Sequence, residues 1–430
     1  MHVLKFIISY ILSLEARLVL WRYRPNIIAV TGSVGKTTTK DAIFAALSNS
    51  VFVRKSDKSY NSEIGVPLTI LGIENAWRSP MRWGFNMLRG LWLAAIYRPY
   101  PAWLVLEVGA DRPGDIRRIA RWLRPNVVVI TGVPEVPVHV EFFGSVDALV
   151  REKRSLAEHI RSGGTIVLNG DDAQTRALIP DFRGACITYG FNDSNDYAAS
   201  QYHITYEAEK PTGFHFRLDH GGSSFPIDVI GSLGAPKVYA ALAAVAVAQA
   251  IGVDPVTASR ALAQWSPTPG RMRLLEGVQG TVIIDDTYNY SPAAAFAALE
   301  TLRDVGHAKR KIALLGDMLE LGKFSAEAHR SVGGEAARCT SLLWTVGFRA
   351  QGIAEGALES GMLKSKIKLY KNGEAARAGE ELARELKPGD IVLVKGSQSM
   401  RLEHAITALL EHPDTASSVL VRQESEWLKR

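Results

Sequence analysis

The chain is nearly free of cysteine: 430 residues contain two, Cys186 and Cys339, far apart in sequence. That excludes a disulfide scaffold and a four-cysteine zinc module, and it fits a reducing compartment. Long hydrophobic runs are also missing. The most apolar stretch, VLKFIISYILSLEARLVLW near the N-terminus, is interrupted by Lys5, Glu15 and Arg17. Its uncharged run from Phe6 to Leu14 is less than half of the ~20 residues a spanning helix needs. No small-x-small cleavage site follows, so a packed or interfacial helix is expected over residues 1–25, not a signal peptide. No block of Lys and Arg with interleaved aromatics appears, which speaks against nucleic acid. The net charge of +6 suits a small polyanionic substrate or an anionic membrane surface. Repeats, low-complexity tracts and a Ser-His-Asp arrangement for covalent catalysis are absent too.

What is present is ordinary globular material, 47% hydrophobic and 22% charged, and too long for one core. Apolar runs such as NIIAV, WLVLEV, NVVVITGV and TIVLN alternate with helical stretches such as TTKDAIFAALSN, which predicts a mostly parallel sheet buried on both faces. From Tyr197 to Val229 short alternating pieces predict a small antiparallel appendage. SPTPGR, Ser266 to Arg271, reads as a hinge. After it, TVIIDD, KIALLGD, LLWTVG and DIVLVKGS predict a second, Rossmann-like α/β domain. The expected division is an N-terminal helix (1–25), a phosphate-loop domain (26–266) and a C-terminal domain (267–430). Residues 77–103 stand apart, with four of the nine tryptophans and interspersed arginines. They predict helices packed on the N-terminal one, with peripheral membrane contact as a hypothesis for both segments.

The chemistry concentrates in IIAVTGSVGKTTTK. A phosphate loop of the standard pattern has a glycine five residues before its Gly-Lys pair, and here that place holds Val30. The context is nevertheless right, a strand before and a helix after. Gly32 and Gly35 let backbone N–H groups turn towards phosphate, Lys36 reaches the terminal phosphates, and Thr37 can ligand Mg²⁺. Glu107 ends the next apolar strand, placed either for Mg²⁺ or as an exposed strand-end acid. Taken alone, His139 is a lone histidine beyond a strand and Lys153 a solvated helical lysine. Acids in DDTYNYSP and GDMLELG could bind ribose, metal or an amine, or merely cap strands. VKGSQSMRLE, with Lys395 and Arg401 around a Gly-Ser turn, has the makings of an anion site.

Taken together, TGSVGKTTTK, SYNSEIGVPLTIL, LEVGADRPGDI, HVEFFGSVDALVREK, NGDD, PGRMR, DDTYNYSP, LLGDMLELG and VKGSQSMRLE occur in the order seen in the Mur ligase family. From about residue 26 to about 405 the chain resembles that family, most closely the branch that adds D-alanyl-D-alanine to a UDP-muramoyl-tripeptide. The resemblance implies an ATP-dependent amide ligase working through an acyl phosphate, monomeric and cytoplasmic, with nucleotide held by Gly32, Ser33, Val34, Gly35, Lys36, Thr37 and Thr38. It implies Mg²⁺ on Thr37, Glu107 and His139, with a carbamylated Lys153 as a further ligand. Arg271, Asp286, Tyr288 and Asn289 would meet the nucleotide. Asn61, Asp317, Glu320, Lys395, Ser397 and Arg401 would meet the UDP-muramoyl-peptide and D-Ala-D-Ala. Two departures stand out. Only about 25 residues precede the loop strand where the family usually has a UDP-binding domain. The usual Gly-x-His-Asn-x-x-Asn run reads GAPKVYAAL, with Pro236, Lys237 and Ala240 at the polar places. Two other readings remain: a folylpolyglutamate-type or other amino-acid ligase, and a nucleotide-dependent membrane-associated scaffold.

Overall fold

Apolar runs flanked by turn residues become strands that differ in how each face is covered. A computed structural model describes residues 2–77, 79–134, 140–178, 182 and 184–428. Nine strands form the first sheet: β1 (Asn26–Thr31), β2 (Val53–Lys55), β3 (Trp103–Glu107), β4 (Val127–Ile130), β5 (Thr165–Asn169), β6 (Ala185–Gly190), β7 (Tyr197–Glu207), β8 (Lys210–His220) and β9 (Ser223–Ile230). Their order is β2-β3-β1-β4-β5-β6-β7-β8-β9. Pairing is parallel through β7 and antiparallel from β7 to β9. The antiparallel segment is thus no separate unit but continues the edge of the main sheet.

The period-two geometry of β1 serves two cores at once. Ile28 and Val30 point into a cluster with α2 (Lys36–Leu47) and the Ala235–Ala250 helix, while Ile27 and Ala29 point into the opposite one. That second core is closed by α1 (His2–Tyr23), α3 (Gly65–Leu71), α4 (Pro80–Ala95) and α5 (Asp115–Leu123). Ile8, Leu12, Ala16 and Val19 recur at helical spacing, which turns one stripe of α1 inward. The Trp/Arg-rich segment forms a single helix, α4, capped by Ser79, whose hydroxyl accepts from Arg82 N at 3.3 Å. It packs directly on α1. A Cβ on Gly90 would meet a Glu15 carboxylate oxygen at 2.1 Å, and Tyr23 donates to the carbonyls of Leu93 and Ile96, both at 3.1 Å.

The second sheet has the order β10-β11-β15-β12-β13-β14, formed by β10 (Arg273–Gly277), β11 (Thr281–Asp286), β12 (Arg310–Gly316), β13 (Leu342–Val346), β14 (Ile367–Tyr370) and β15 (Asp390–Lys395). All pairs are parallel except β10 with β11. Ser266 to Arg271 joins the two sheets. Thr268 donates to Asp41 of α2 at 3.0 Å, fixing the linker to the first domain.

Candidate active site

The site begins where β1 ends. β1 lies between β3 and β4, so the connections from its neighbours diverge and leave a crevice at its C-terminal end. Val30, at the place of the missing glycine, is fully buried strand, paired with Glu107 on one side and Val129 on the other. The turn comes later, at Gly32 (φ 146°) and Gly35 (φ 77°), both outside the range most side chains tolerate. Gly32 has a further reason: a Cβ there would lie 2.0 Å from Thr131 Oγ1. The end of β4 buttresses the loop, Ser33 N donating to Gly132 O at 2.8 Å. Gly35 then opens α2, whose unpaired N–H groups and dipole suit a phosphate chain.

Pairing with Val30 sets Glu107 beside the loop. Its carboxylate is buried and accepts three hydrogen bonds: from Thr37 Oγ1 at 2.8 Å, Ser59 Oγ at 2.7 Å and Asn61 Nδ2 at 3.0 Å. Thr37, Ser59 and Glu107 thereby offer converging oxygen donors, the hard ligands that Mg²⁺ prefers. Lys36 Nζ donates to the Gly32 carbonyl at 2.8 Å, and Lys153 Nζ donates to the same carbonyl at 3.0 Å. Lys153 sits on the Val146–Glu158 helix and is 4% exposed. Burial, with the neighbouring Lys36 charge second, holds its pKa well below the ordinary lysine value. The adjacent Glu152 is structural: it accepts from the backbone N–H of Gly114 and Ile116 and so caps α5. His139 lies outside the described residues.

The second domain reaches into this loop through one side chain. Arg271 Nη2 donates to Thr37 Oγ1 at 2.9 Å, and its guanidinium lies 4.2 Å over the Tyr288 ring. The neighbouring Gly270 (φ 70°) leaves no room for a Cβ, which would meet Val421 Cγ1 at 2.8 Å. Its N–H is held by Asp285 at 2.9 Å, a buried acid whose pKa desolvation raises to about 6. Lys395 pairs with Asp286 and donates to the Asn289 carbonyl at 3.1 Å.

Many of these groups line a cleft of about 740 Å³ between the domains, with Lys153 and Asp285 buried behind its wall. Ser33 through Thr38, Glu107, Arg271, Asp286, Tyr288 and Asn289 are on its wall, as are Asn61, Glu320, Lys395 and Ser397. Gly32 forms the loop behind it. Asp317 and Arg401 are turned elsewhere: Asp317 accepts from Ala350 N at 2.7 Å, and Arg401 pairs with Glu403 and donates to the Trp427 carbonyl at 3.1 Å. Lys237 also lines the cleft, 4.7 Å from the Trp265 ring, with its pKa lowered by burial to about 8. A larger cavity, about 1420 Å³, adjoins the cleft at Thr37, Ser59, Arg271 and Tyr288. Its far walls are Ile8, Trp83 and Met87 from the two helices α1 and α4, and Leu420 and Val421 from the C-terminal tail. Ser59 and the C-terminal tail were not legible as site residues. Ser59 opens the SYNSEIGVPLTIL motif, but a loop serine has no periodic signal that singles it out, and the tail lies beyond the family-like motifs.

Two family models match the sequence: the Mur ligase middle domain at residues 30–79 and 93–248, and the Mur ligase, glutamate ligase domain at residues 270–398. The first match breaks off across residues 80–92, within α4. The UDP-N-acetylmuramoyl-tripeptide–D-alanyl-D-alanine ligase of Synechocystis sp. is 31% identical over 92% of this chain and 77% of its own. The ligase of the same name from Bacillus subtilis is 29% identical, covering 90% and 76%. The MurF ligase from Thermotoga maritima, solved in complex with ADP, is 26% identical with a TM-score of 0.75, covering 95% of this chain and 84% of that one.

Proposed function

The chain belongs to the Mur ligase family and is an ATP-dependent carboxylate–amine ligase of peptidoglycan precursor synthesis, and we propose that it joins D-alanyl-D-alanine to the terminal carboxylate of a UDP-muramoyl-tripeptide. The observation that carries this reading is the meeting of two cavities at Thr37 and Arg271. One holds the phosphate loop and suits a nucleotide. The other opens onto the same residues, so a carboxylate held in it would lie next to the γ-phosphate it must attack.

In the proposed reaction a carboxylate oxygen attacks the γ-phosphorus, ADP departs, and an acyl phosphate results. The dipeptide amine then attacks the acyl carbon, inorganic phosphate leaves, and the nitrogen loses its extra proton. Lys36 and Arg271 are placed to neutralise charge spreading over the transferring phosphoryl group, and the loop N–H groups orient it. Thr37 and Glu107, with Ser59 beside them, would hold Mg²⁺, which when bound supplies further charge neutralisation. Lys153 is proposed as a carbamate. Burial favours its neutral amine, the form that adds CO₂, and the product would turn a repelling cation beside Lys36 into an anionic oxygen donor. Glu320 and Ser397 lie on the cleft wall where the dipeptide would enter. Action as a monomer in the cytoplasm, where ATP and UDP-linked substrates meet, is part of this proposal.

The test is phosphate release from ATP in the presence of UDP-muramoyl-tripeptide and D-Ala-D-Ala, and with each left out. Release only with both is the expected result. No stimulation by either would overturn the assignment, and stimulation by glutamate with a folate would favour the folylpolyglutamate-type alternative.

A further inference from the structure

The outer surfaces of α1 and α4 are apolar where a solvated helix should be polar. On α1, Phe6, Tyr10, Leu14, Leu18 and Trp21 form one exposed stripe at helical spacing, opposite the buried Ile8, Leu12, Ala16 and Val19. On α4, Met81, Phe85, Leu88 and Trp92 do the same, opposite Trp83, Asn86 and Gly90. Phe85 and Leu88 are 64% and 67% exposed, and Trp21 is 72% exposed. The helices run side by side in the same direction, since Glu15 meets Gly90 while Tyr23 reaches Leu93 and Ile96. Their buried stripes enter one core, so both apolar stripes face away from it. At 1.5 Å per residue the pair makes a raft roughly 33 Å and 24 Å long, far more contiguous apolar surface than scattered exposed residues produce.

Charge decides what covers it. α1 and α4 hold a single acid between them, Glu15, and it is buried. Arg17, Arg22, Arg89 and Arg98 are exposed around the stripes, and Arg98 stacks on Trp92 at 3.7 Å. A second copy laid on this face would bring arginines against arginines with no exposed acid on either helix to answer them, whereas anionic headgroups would neutralise them. Aromatic and arginine residues around an apolar stripe are the composition of helices that lie in a bilayer interface. Among the described residues no helix is long and apolar enough to cross a membrane. α4 is also the segment across which the match to the family's middle domain breaks off.

We propose that the α1–α4 pair is an interfacial docking surface that seats the enzyme on an anionic lipid bilayer, both helices lying in the headgroup plane. The inner sides of the same helices, at Ile8, Trp83 and Met87, wall the larger cavity. Docking therefore sets the carboxylate-side cavity one helix thickness from the lipid.

The test is flotation of the full chain with vesicles of phosphatidylglycerol in phosphatidylcholine and with phosphatidylcholine alone. The wild type should float with the anionic vesicles and be released as salt is raised. The double variant Phe85→Glu, Leu88→Glu should partition about tenfold less or weaker still, with an unchanged melting transition and unchanged turnover on soluble substrates. Because vesicle binding is read without nucleotide, failure here is distinct from failure of the ligase reading. Absence of the wild type from the floated fraction would overturn the proposal. So would equal flotation of the double variant, or a wild-type dimer that the variant dissolves into monomers without any vesicle binding.

Discussion

Arg271 and Thr37 are 234 residues apart in sequence and 2.9 Å apart in space, a guanidinium N–H of the second domain's threshold resting on the hydroxyl of the phosphate loop. The contact makes a single side chain report whether the two domains are correctly set. Arg271→Ala should lower kcat by about 10²–10³, as removal of a charge-stabilising donor typically does. Arg271→Lys should recover little, because a lysine can neither stack on Tyr288 nor keep the same fork of donors. Steady-state kcat and KM for ATP in the two variants check this.

Lys153 offers a chemical test. Lys153→Ala should lose about 100-fold or more of kcat, and short carboxylic acids such as acetate should restore part of it by filling the space with an anionic oxygen. In the wild type, ¹³C-bicarbonate should give a carbamate carbon signal that the variant lacks. Normal turnover in Lys153→Ala would end the carbamate proposal.

Lys237 stands where the family usually has a polar residue that seats the nucleotide, and burial lowers its pKa to about 8. It is charged below that pH and neutral above it, so attraction for the anionic nucleotide should weaken as pH rises through 8. The ratio kcat/KM for ATP, which reports the free enzyme, should fall with an apparent pKa near 8. That inflection should be missing in Lys237→Met.

Glu15 is buried between α1 and α4, neither carboxylate oxygen has a hydrogen-bond partner among the described residues, and desolvation raises its pKa to about 7 from an ordinary 4.5. A raised folded-state pKa means the folded protein binds the extra proton. The stabilisation is full below about pH 4.5 and is lost as pH rises through 7. Glu15→Gln should therefore leave stability unchanged near pH 4.5 and raise it at pH 8 by on the order of 1–3 kcal/mol. Denaturant melts at the two pH values measure the difference.

What could be read from the sequence follows burial. β1, β3, β4, β5 and β15 are covered on both faces and stand out as apolar runs, whereas β14 (IKLY), at a sheet edge and half exposed, carries no such signal. Within the site, Lys36 and Thr37 follow from loop chemistry, whereas the strand-end position of Glu107 leaves it open between a metal-facing and an exposed acid. Asp317 has the same strand-end signature as Glu107. Its carboxylate instead accepts from Ala350 N, at the start of the Gln351–Glu359 helix. Whether a strand-end acid faces a ligand or a neighbouring helix depends on where that helix packs, which the local sequence does not state. Ser59 is the reverse case, the first residue of the SYNSEIGVPLTIL motif yet not singled out there, and bonded to Glu107 in space.

The pairing of Val30 with Glu107 has a consequence for how such an enzyme can be altered. The backbone ladder between β1 and β3 sets the spacing of loop and acid, whatever the chain does in between. Residues 72–102, which follow α3, can therefore lengthen, shorten or take on a new element without retuning the phosphate end of the site, provided β3 re-enters in register. A slip of one residue would send the Glu107 side chain to the other face of the sheet. α4 occupies that tolerant interval. A docking helix can be added or exchanged there as a module, with the chemistry insulated from it by strand register.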